Sequence, residues 1–172
     1  MVQRKILIKS AVMLVATALL IPAVSWSQQA PATATPSLST LKAKYKRPSD
    51  IPFPKNNAYT PARELLGRTL FFDPRLSGSN FMSCATCHNP SLGWSDGLQR
   101  GLGHEMKQLG RRTPTILNLA WAELLFWDGR AANLEEQAAG PMQSPAEMNG
   151  TMNEIVDKIQ RLPGYRKMFD AA

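Results

Sequence analysis

Three features that define large protein classes are missing from this sequence. No segment of convincing length alternates apolar with polar residues, which argues against β-strands. Once an N-terminal leader is set aside, 17 Lys and Arg stand against 13 Asp and Glu, and this mild balance does not favour nucleic-acid binding. With 172 residues the chain is also too short for two ordinary domains. These absences predict one helical domain.

A long membrane-spanning run is missing as well. The apolar run over residues 11–24 is shorter than the roughly 20 residues that a spanning helix needs, and Pro22 interrupts it. Cations precede the run and small residues suited to a signal-peptidase site follow it, namely Arg4, Lys5, Lys9, Ser25 and Ser27. We therefore expect residues 1–27 to be a cleaved signal peptide that sends the protein to the periplasm; a retained membrane anchor is the alternative.

Residues 28–59 are rich in Pro, Ala, Ser and Thr. The stretches "APATATPS" and "IPFP" cannot sustain a helix or a strand ladder, because proline lacks an N–H donor. We expect a flexible arm followed by an extended segment that wraps the domain. The basic cluster "KAKYKRP" lies within this arm and either steers an acidic partner or is a solvated surface.

Helix signals begin at residue 60, where the predicted domain of residues 60–172 starts. A capping hydroxyl stands directly before a proline at Thr60–Pro61, Thr113–Pro114 and Ser144–Pro145, and each pair is expected to open a helix. Two amphipathic stripes are expected to be core: Ala62, Leu65, Leu66, Thr69 and Leu70, then Ile155, Ile159 and Leu162 behind a Thr151–Glu154 capping box. The predicted fold class is all-α, with short helices and long loops.

Both cysteines lie in "SCATCHNP", together with His88. Cys84 and Cys87 at this spacing, followed at once by a histidine, are typical of covalent c-type haem attachment, in which the histidine ligates the iron. A zinc site would need His104 as a fourth ligand. A redox disulfide usually occurs in a βαβ setting, which this sequence lacks. We expect one covalent haem c.

The second axial position on such an iron separates electron carriers from enzymes. His104 lies in a loop with Gly101, Gly103 and Gly110 that is flexible enough to fold over the ring. A surface histidine is the alternative, since lone histidines are usually not ligands. Methionines are further candidates, although Met more often fills gaps in a core; they are Met82, Met106, Met142 and Met148.

Four blocks together resemble a known family. They are "LGRTLFFDPRLSGSNFMSCATCHNPSLGWSDG", "LGRRTPTILNLAW", "FWDGRAANLEEQAAGPMQSPAEM" and "LPGYRKMF". In order and spacing they are similar to the N-terminal, peroxidatic haem domain of bacterial di-haem cytochrome c peroxidases and MauG-type maturation enzymes. The resemblance implies a cytochrome c-like fold and reduction of hydrogen peroxide with electrons from a small cytochrome c or cupredoxin. It also implies a second haem domain and a homodimer for the full-length protein.

The same resemblance implies roles for individual residues. Cys84 and Cys87 would attach the haem, with His88 as the proximal iron ligand and His104 as a distal ligand that leaves on activation. Because the maturation enzymes generally lack that distal histidine, His104 favours the peroxidase branch. Trp127 would pass electrons between haems, or else pack in the core as most tryptophans do.

The resemblance further implies that Gln137 and Glu147 handle peroxide in the distal pocket. Glu147 has a structural alternative, because Ser144 and Glu147 are also spaced as a capping box. Asn133 and Glu136 are expected to cap the helix that carries Gln137, so Glu136 is interpreted as structural.

Two departures from the family pattern matter. Arg112 stands where the family usually has an asparagine that ligates calcium, so a calcium site is doubtful. A second CxxCH is missing. We expect a fragment that lacks the second haem domain; a separate electron-donating subunit and a mono-haem electron carrier are the alternatives.

Overall fold

A computed structural model describes residues 35–46 and 48–172. The chain divides into two units, and the division in the sequence falls after Lys46. The predicted signal peptide lies outside the described residues. Within the described ranges, no helix combines the length and the apolar character needed to cross a membrane.

The first unit contains helix α1, Leu38–Lys44. Ser37 caps it, because the Ser37 hydroxyl accepts a hydrogen bond from the Thr40 N–H at 3.1 Å. No residue of α1 is buried. The arm over residues 28–59 therefore contains a short helix that the proline-rich composition did not predict, in the stretch between its prolines.

The second unit holds five helices, α2 to α6, and four short 3₁₀ turns. The helices are α2 Pro61–Phe71, α3 Cys84–Cys87, α4 Leu134–Gln143, α5 Met152–Gln160 and α6 Pro163–Ala171. The 3₁₀ turns are Pro74–Leu76, Pro90–Leu92, His104–Met106 and Leu119–Trp121. Among the described residues the backbone pairs only at isolated bridges, so the all-α prediction is confirmed.

The predicted caps of two long helices are present. The Thr60 hydroxyl accepts from the Arg63 N–H at 3.1 Å, with Pro61 in the first turn of α2. Thr151 and Glu154 form the expected capping box of α5. The start of α4 is also as predicted, since Asn133 accepts from the Glu136 N–H at 2.8 Å.

The other two hydroxyl–proline pairs do not open helices. The Thr113 hydroxyl donates to Asp96 at 2.7 Å instead of capping the following residues. Ser144 ends α4, because its N–H donates to Gly140 and its carbonyl accepts from Glu147 and Asn149. For Thr113 a partner distant in sequence thus competes successfully with the local capping preference, whereas Ser144 is used by the end of the preceding helix.

The core lies where α6 packs against α2 and α5, and where α5 packs against the Pro74–Leu76 turn. We call this region the helical core; its buried residues are Leu66, Leu76, Met148, Ile155, Ile159 and Tyr165. The prediction that Leu65 is core is wrong, since 48% of Leu65 is exposed. Leu65 lines an open groove of about 630 Å³ beside Phe72 and Arg75.

Three loops, each closed by one antiparallel bridge, make up much of the remainder. The bridges join Asn89 to Ser95, Leu102 to Gln108 and Leu125 to Ala131. We call these segments, residues 89–95, 102–108 and 125–131, the bridged loops. Each reverses direction through two residues with positive φ, which are Gly93 and Trp94, Glu105 and Met106, and Phe126 and Gly129.

Candidate haem site

Helix α3 is a single turn that carries both cysteines. Three-residue spacing places Cys84 and Cys87 on one face of this turn. Both are free thiols and only partly exposed. Burial raises the pKa of each thiol, and the charges of Asp96 and Glu147 help to raise the pKa of Cys87 to about 11.

His88 follows α3 and is held by two backbone carbonyls. Its Nδ1 atom lies 3.2 Å from the Trp94 carbonyl oxygen and 3.1 Å from that of Pro114. Since a carbonyl oxygen only accepts, Nδ1 must carry the proton, and the lone pair of the neutral ring is then on Nε2. This tautomer suits a histidine that binds a metal through Nε2.

The donor set fits haem better than the alternatives. Across the described residues, no three His, Cys, Asp or Glu side chains are close enough to hold a metal ion, which argues against four-ligand zinc. Two thiols one helical turn apart, next to a histidine with an oriented ring, match covalent haem attachment.

His104 lies in the second bridged loop and is mostly buried, with 19% of its side chain exposed. Its Nδ1 atom is buried and has no hydrogen-bond partner among the described residues. Nε2 lies 3.9 Å from the Glu105 carboxylate. The interpretation of His104 as an ordinary surface histidine is therefore wrong, and a ring with an unsatisfied buried nitrogen fits a site that a cofactor completes.

The loop that carries His104 packs against the segment that carries Glu147. The His104 N–H donates to the Ala146 carbonyl at 3.1 Å. A Cβ atom at Gly103 would collide with the same carbonyl oxygen, so glycine is required there. The Cys87 thiol also contacts the Leu102 carbonyl at 3.6 Å. Segments distant in sequence thus meet beside α3.

Glu147 is half-buried, and its carboxylate makes no hydrogen bond among those found in the described residues. The capping-box alternative for Glu147 is therefore wrong. Burial raises the pKa of Glu147, while the positive charge of Arg130 opposes that rise. Because Glu147 also affects the pKa of Cys87, the structure brings this carboxyl group close to the haem-attachment motif.

Gln137 is partly buried on α4. Pro141 lies one turn further along the helix and has no N–H, so it leaves the Gln137 carbonyl without its usual helical donor. The Gln137 side chain makes no hydrogen bond to Glu147. The link between α4 and Glu147 is through the backbone, where the Met148 N–H donates to the Pro141 carbonyl at 3.2 Å.

Trp127 lies in the third bridged loop, and 76% of it is exposed. The interpretation of Trp127 as a buried core aromatic is therefore wrong. Its neighbour Phe126 stacks under the Arg130 guanidinium at 3.5 Å, and Arg130 also pairs with Asp128 at 2.8 Å. The Trp127 indole is thus exposed on a loop that the contacts of Arg130 with Phe126 and Asp128 stabilise.

Sequence reasoning missed the groups that orient His88. They are main-chain carbonyls of Trp94 and Pro114, and a carbonyl has no residue-type signature. Sequence reasoning also missed the hydrogen bond between the Thr113 hydroxyl and Asp96, because it assigned Thr113 to a helix cap.

Comparison with known proteins gives a consistent result. The model of the di-haem cytochrome c peroxidase family matches residues 61–172. The chain is 54% identical over 132 residues to the methylamine utilization protein MauG of Methylorubrum extorquens, covering 77% of this chain and 37% of that protein. It is 49% identical over 105 residues to the cytochrome c551 peroxidase of Nitrosomonas europaea, covering 60% of this chain and 31% of that protein.

Solved structures agree with this result. A MauG-like protein associated with microbial copper homeostasis aligns with a TM-score of 0.66 at 31% identity, covering 74% of this chain and 39% of the other. The diheme peroxidase BthA from Burkholderia thailandensis aligns with a TM-score of 0.58 at 29% identity, covering 66% and 32%. The chain spans less than half the length of these relatives. The chain belongs to the di-haem cytochrome c peroxidase family.

Proposed function

We propose that this chain is the haem c-binding, peroxide-reducing part of a di-haem peroxidase that works in the periplasm. One observation carries the proposal: the attachment motif, the His104 loop and the raised-pKa carboxyl group of Glu147 converge on one place. Cys84 and Cys87 would attach the haem and His88 would ligate the iron. Haem c, once bound, supplies an iron that gives electrons to peroxide.

His88 keeps its ring in one orientation. Two carbonyls accept from its Nδ1–H, so the ring cannot rotate without losing both hydrogen bonds. These bonds also make Nε2 a stronger donor to a metal. An electron-rich proximal ligand favours cleavage of an O–O bond over simple electron transfer.

Glu147 would move the proton. Reduction of hydrogen peroxide to two waters consumes two electrons and two protons, and cleavage of the O–O bond requires a proton to be moved from one peroxide oxygen to the other. A carboxyl group whose pKa burial has raised exchanges a proton near neutral pH more readily than an ordinary glutamate. Gln137 would hydrogen-bond the peroxide without titrating.

His104 would occupy the second axial position at rest and leave on activation. Its loop has two non-glycine residues with positive φ, Glu105 and Met106, which is a costly backbone conformation. A loop held in this way can relax to another conformation when a ligand bond is lost.

Trp127, exposed on the third bridged loop, would face the second haem domain and pass electrons from it. That domain would be supplied by the remainder of the protein or by another subunit. We propose a small cytochrome c or cupredoxin as the electron donor, and a homodimer as the complete protein.

A second candidate function is oxidation of a protein substrate by a MauG-type enzyme. The observation that favours it is the 54% identity to a MauG protein, which exceeds the 49% identity to a cytochrome c551 peroxidase. The presence of a mostly buried His104 favours the peroxidase, because the maturation enzymes generally lack the distal histidine.

The test is Glu147→Gln in the haem-loaded protein with its electron donor. Peroxide turnover should fall roughly 10²- to 10⁴-fold, because the proton shuttle is lost, while the haem content measured by absorbance is unchanged. Glu136→Gln is the matched control, since the Glu136 carboxylate accepts from the Ala132 N–H at the start of α4 and should not affect turnover. Full activity of Glu147→Gln would refute the role of Glu147.

A further inference from the structure

A hydrogen-bonded pair of side chains lies close in sequence to the two residues whose carbonyls hold His88. The Thr113 hydroxyl donates to the Asp96 carboxylate at 2.7 Å. The Ser95 hydroxyl donates to the Thr113 carbonyl at 2.8 Å. Ser95 and Thr113 are buried, whereas Asp96 is partly exposed. These two hydrogen bonds join segments that are distant in sequence.

This pair is adjacent to the carbonyl acceptors of His88. Thr113 directly precedes Pro114, whose carbonyl accepts from His88 Nδ1, and Asp96 lies two residues after Trp94, whose carbonyl is the other acceptor. The Thr113–Asp96 bond, together with the Ser95–Thr113 bond, therefore ties together the two segments that supply these carbonyls.

The surroundings leave this pair little freedom. The second Asp96 oxygen accepts from the Leu98 N–H at 3.0 Å. A Cβ atom on Gly101 would lie 2.8 Å from the Thr113 hydroxyl and 3.2 Å from the Asp96 carboxylate. Gly101 thus packs closely over the bond and shields it, which strengthens a hydrogen bond to a charged group.

We propose that Asp96 and Thr113 are positioning residues for His88, and that their bond sets the strength of the Nδ1–H hydrogen bond and so the donor strength of Nε2. The inference rests on the proposed function, which makes His88 the proximal ligand. Outer partners of a ligating histidine commonly tune its basicity. A weaker Nδ1–H bond makes the ring a poorer donor, favours reduced iron, and moves the reduction potential to more positive values.

The experiment compares Thr113→Val with Thr113→Ser in the haem-loaded chain by spectroelectrochemistry. Valine keeps the shape and removes the hydroxyl, so the reduction potential should become more positive; serine restores the hydroxyl and should keep the original potential. Thr69→Val is the matched control, because the Thr69 hydroxyl donates only to the Leu65 carbonyl, at 2.7 Å within α2, and its loss should leave the potential unchanged.

An unchanged or more negative potential in Thr113→Val would overturn the inference, and so would an equal shift in Thr113→Ser. If Thr113→Val fails to load haem, Thr113→Ala decides: it also removes the hydroxyl but leaves the charge of Asp96 in place, so a positive shift supports the inference and no shift refutes it. The readout needs no peroxide. The expected positive shift in Thr113→Val, combined with no peroxide turnover by the wild type, would refute the proposed reaction alone. An unshifted potential in Thr113→Val, combined with wild-type turnover that depends on Glu147, would refute this inference alone.

Discussion

The helical core and the bridged loops are stabilised in different ways. Six buried side chains cluster between α2, α5 and α6, whereas in the bridged loops the buried apolar side chains are those of Leu125 and Ala131. The loops are held by backbone bridges and, in the first of them, by side chain to backbone hydrogen bonds as well. Apolar burial supports the helices on its own, while the loops bury little apolar surface and, under the proposed function, depend on haem to supply it.

The largest expected effect comes from breaking haem attachment. In Cys84→Ala, amide protection in residues 89–131 should fall on the order of 100-fold, because the loops lose the group that they pack around. Protection in α5 and α6 should change much less. Hydrogen exchange measured by mass spectrometry checks this, and uniform loss across the chain would show that the two regions are one cooperative unit.

The reverse change is to weaken the helical core alone. Ile159→Ala deletes buried side-chain volume beside Tyr165 and should lower the free energy of unfolding by about 3 kcal/mol. The haem absorption spectrum at room temperature should remain unchanged. Thermal unfolding followed by circular dichroism gives the measurement, with the exposed Val156→Ala on the same helix as a control; a shifted spectrum would contradict the separation of the two regions.

A smaller effect should follow from crowding the contact between the His104 loop and the Glu147 segment. Gly103→Ala places a methyl group against the Ala146 carbonyl, so the backbone must move at a cost of about 2 kcal/mol. The absorption spectrum should change as His104 shifts. Gly110→Ala is the matched control, because nothing lies within 4 Å of a Cβ there; equal effects of the two substitutions would remove the steric explanation.

The smallest effect concerns pH. The Arg75 guanidinium, with help from the Tyr165 hydroxyl, lowers the pKa of the buried Asp73 from 3.8 to about 2. A lowered folded-state pKa stabilises the fold above the unfolded value, and that contribution, about 2 kcal/mol at most, is lost as pH falls from about 4 to about 2.

In Asp73→Asn this contribution is missing, so the acid limb of the stability curve should be shallower than in the wild type. Urea unfolding between pH 2 and pH 5 measures it, and Asp170→Asn on the exposed side of α6 serves as the control. Parallel acid limbs for wild type and Asp73→Asn would contradict the assignment.

Local patterns predicted the features that depend on neighbours in the chain. Thr60–Pro61 and Thr151–Glu154 cap their helices as expected. A hydroxyl reaches an N–H two or three residues away without any tertiary contact. Thr113–Pro114 carries the same signal and fails, because Asp96 offers its hydroxyl a charged acceptor. The stripe on α2 predicted Leu66 as core correctly, but it placed Leu65 there too; only the position of α6 decides which side of the stripe is covered.

For the candidate site, the sequence by itself determined the attachment motif, since two thiols and a histidine within five residues need no tertiary contact to be brought together. Tertiary structure alone decided the rest. It placed the Trp94 and Pro114 carbonyls against His88 and buried most of His104. It also left Glu147 outside the predicted capping box and Trp127 on the surface. Each of these depends on which segments meet in space, and the close approach of Gly103 to Ala146 is possible only once both loops are closed.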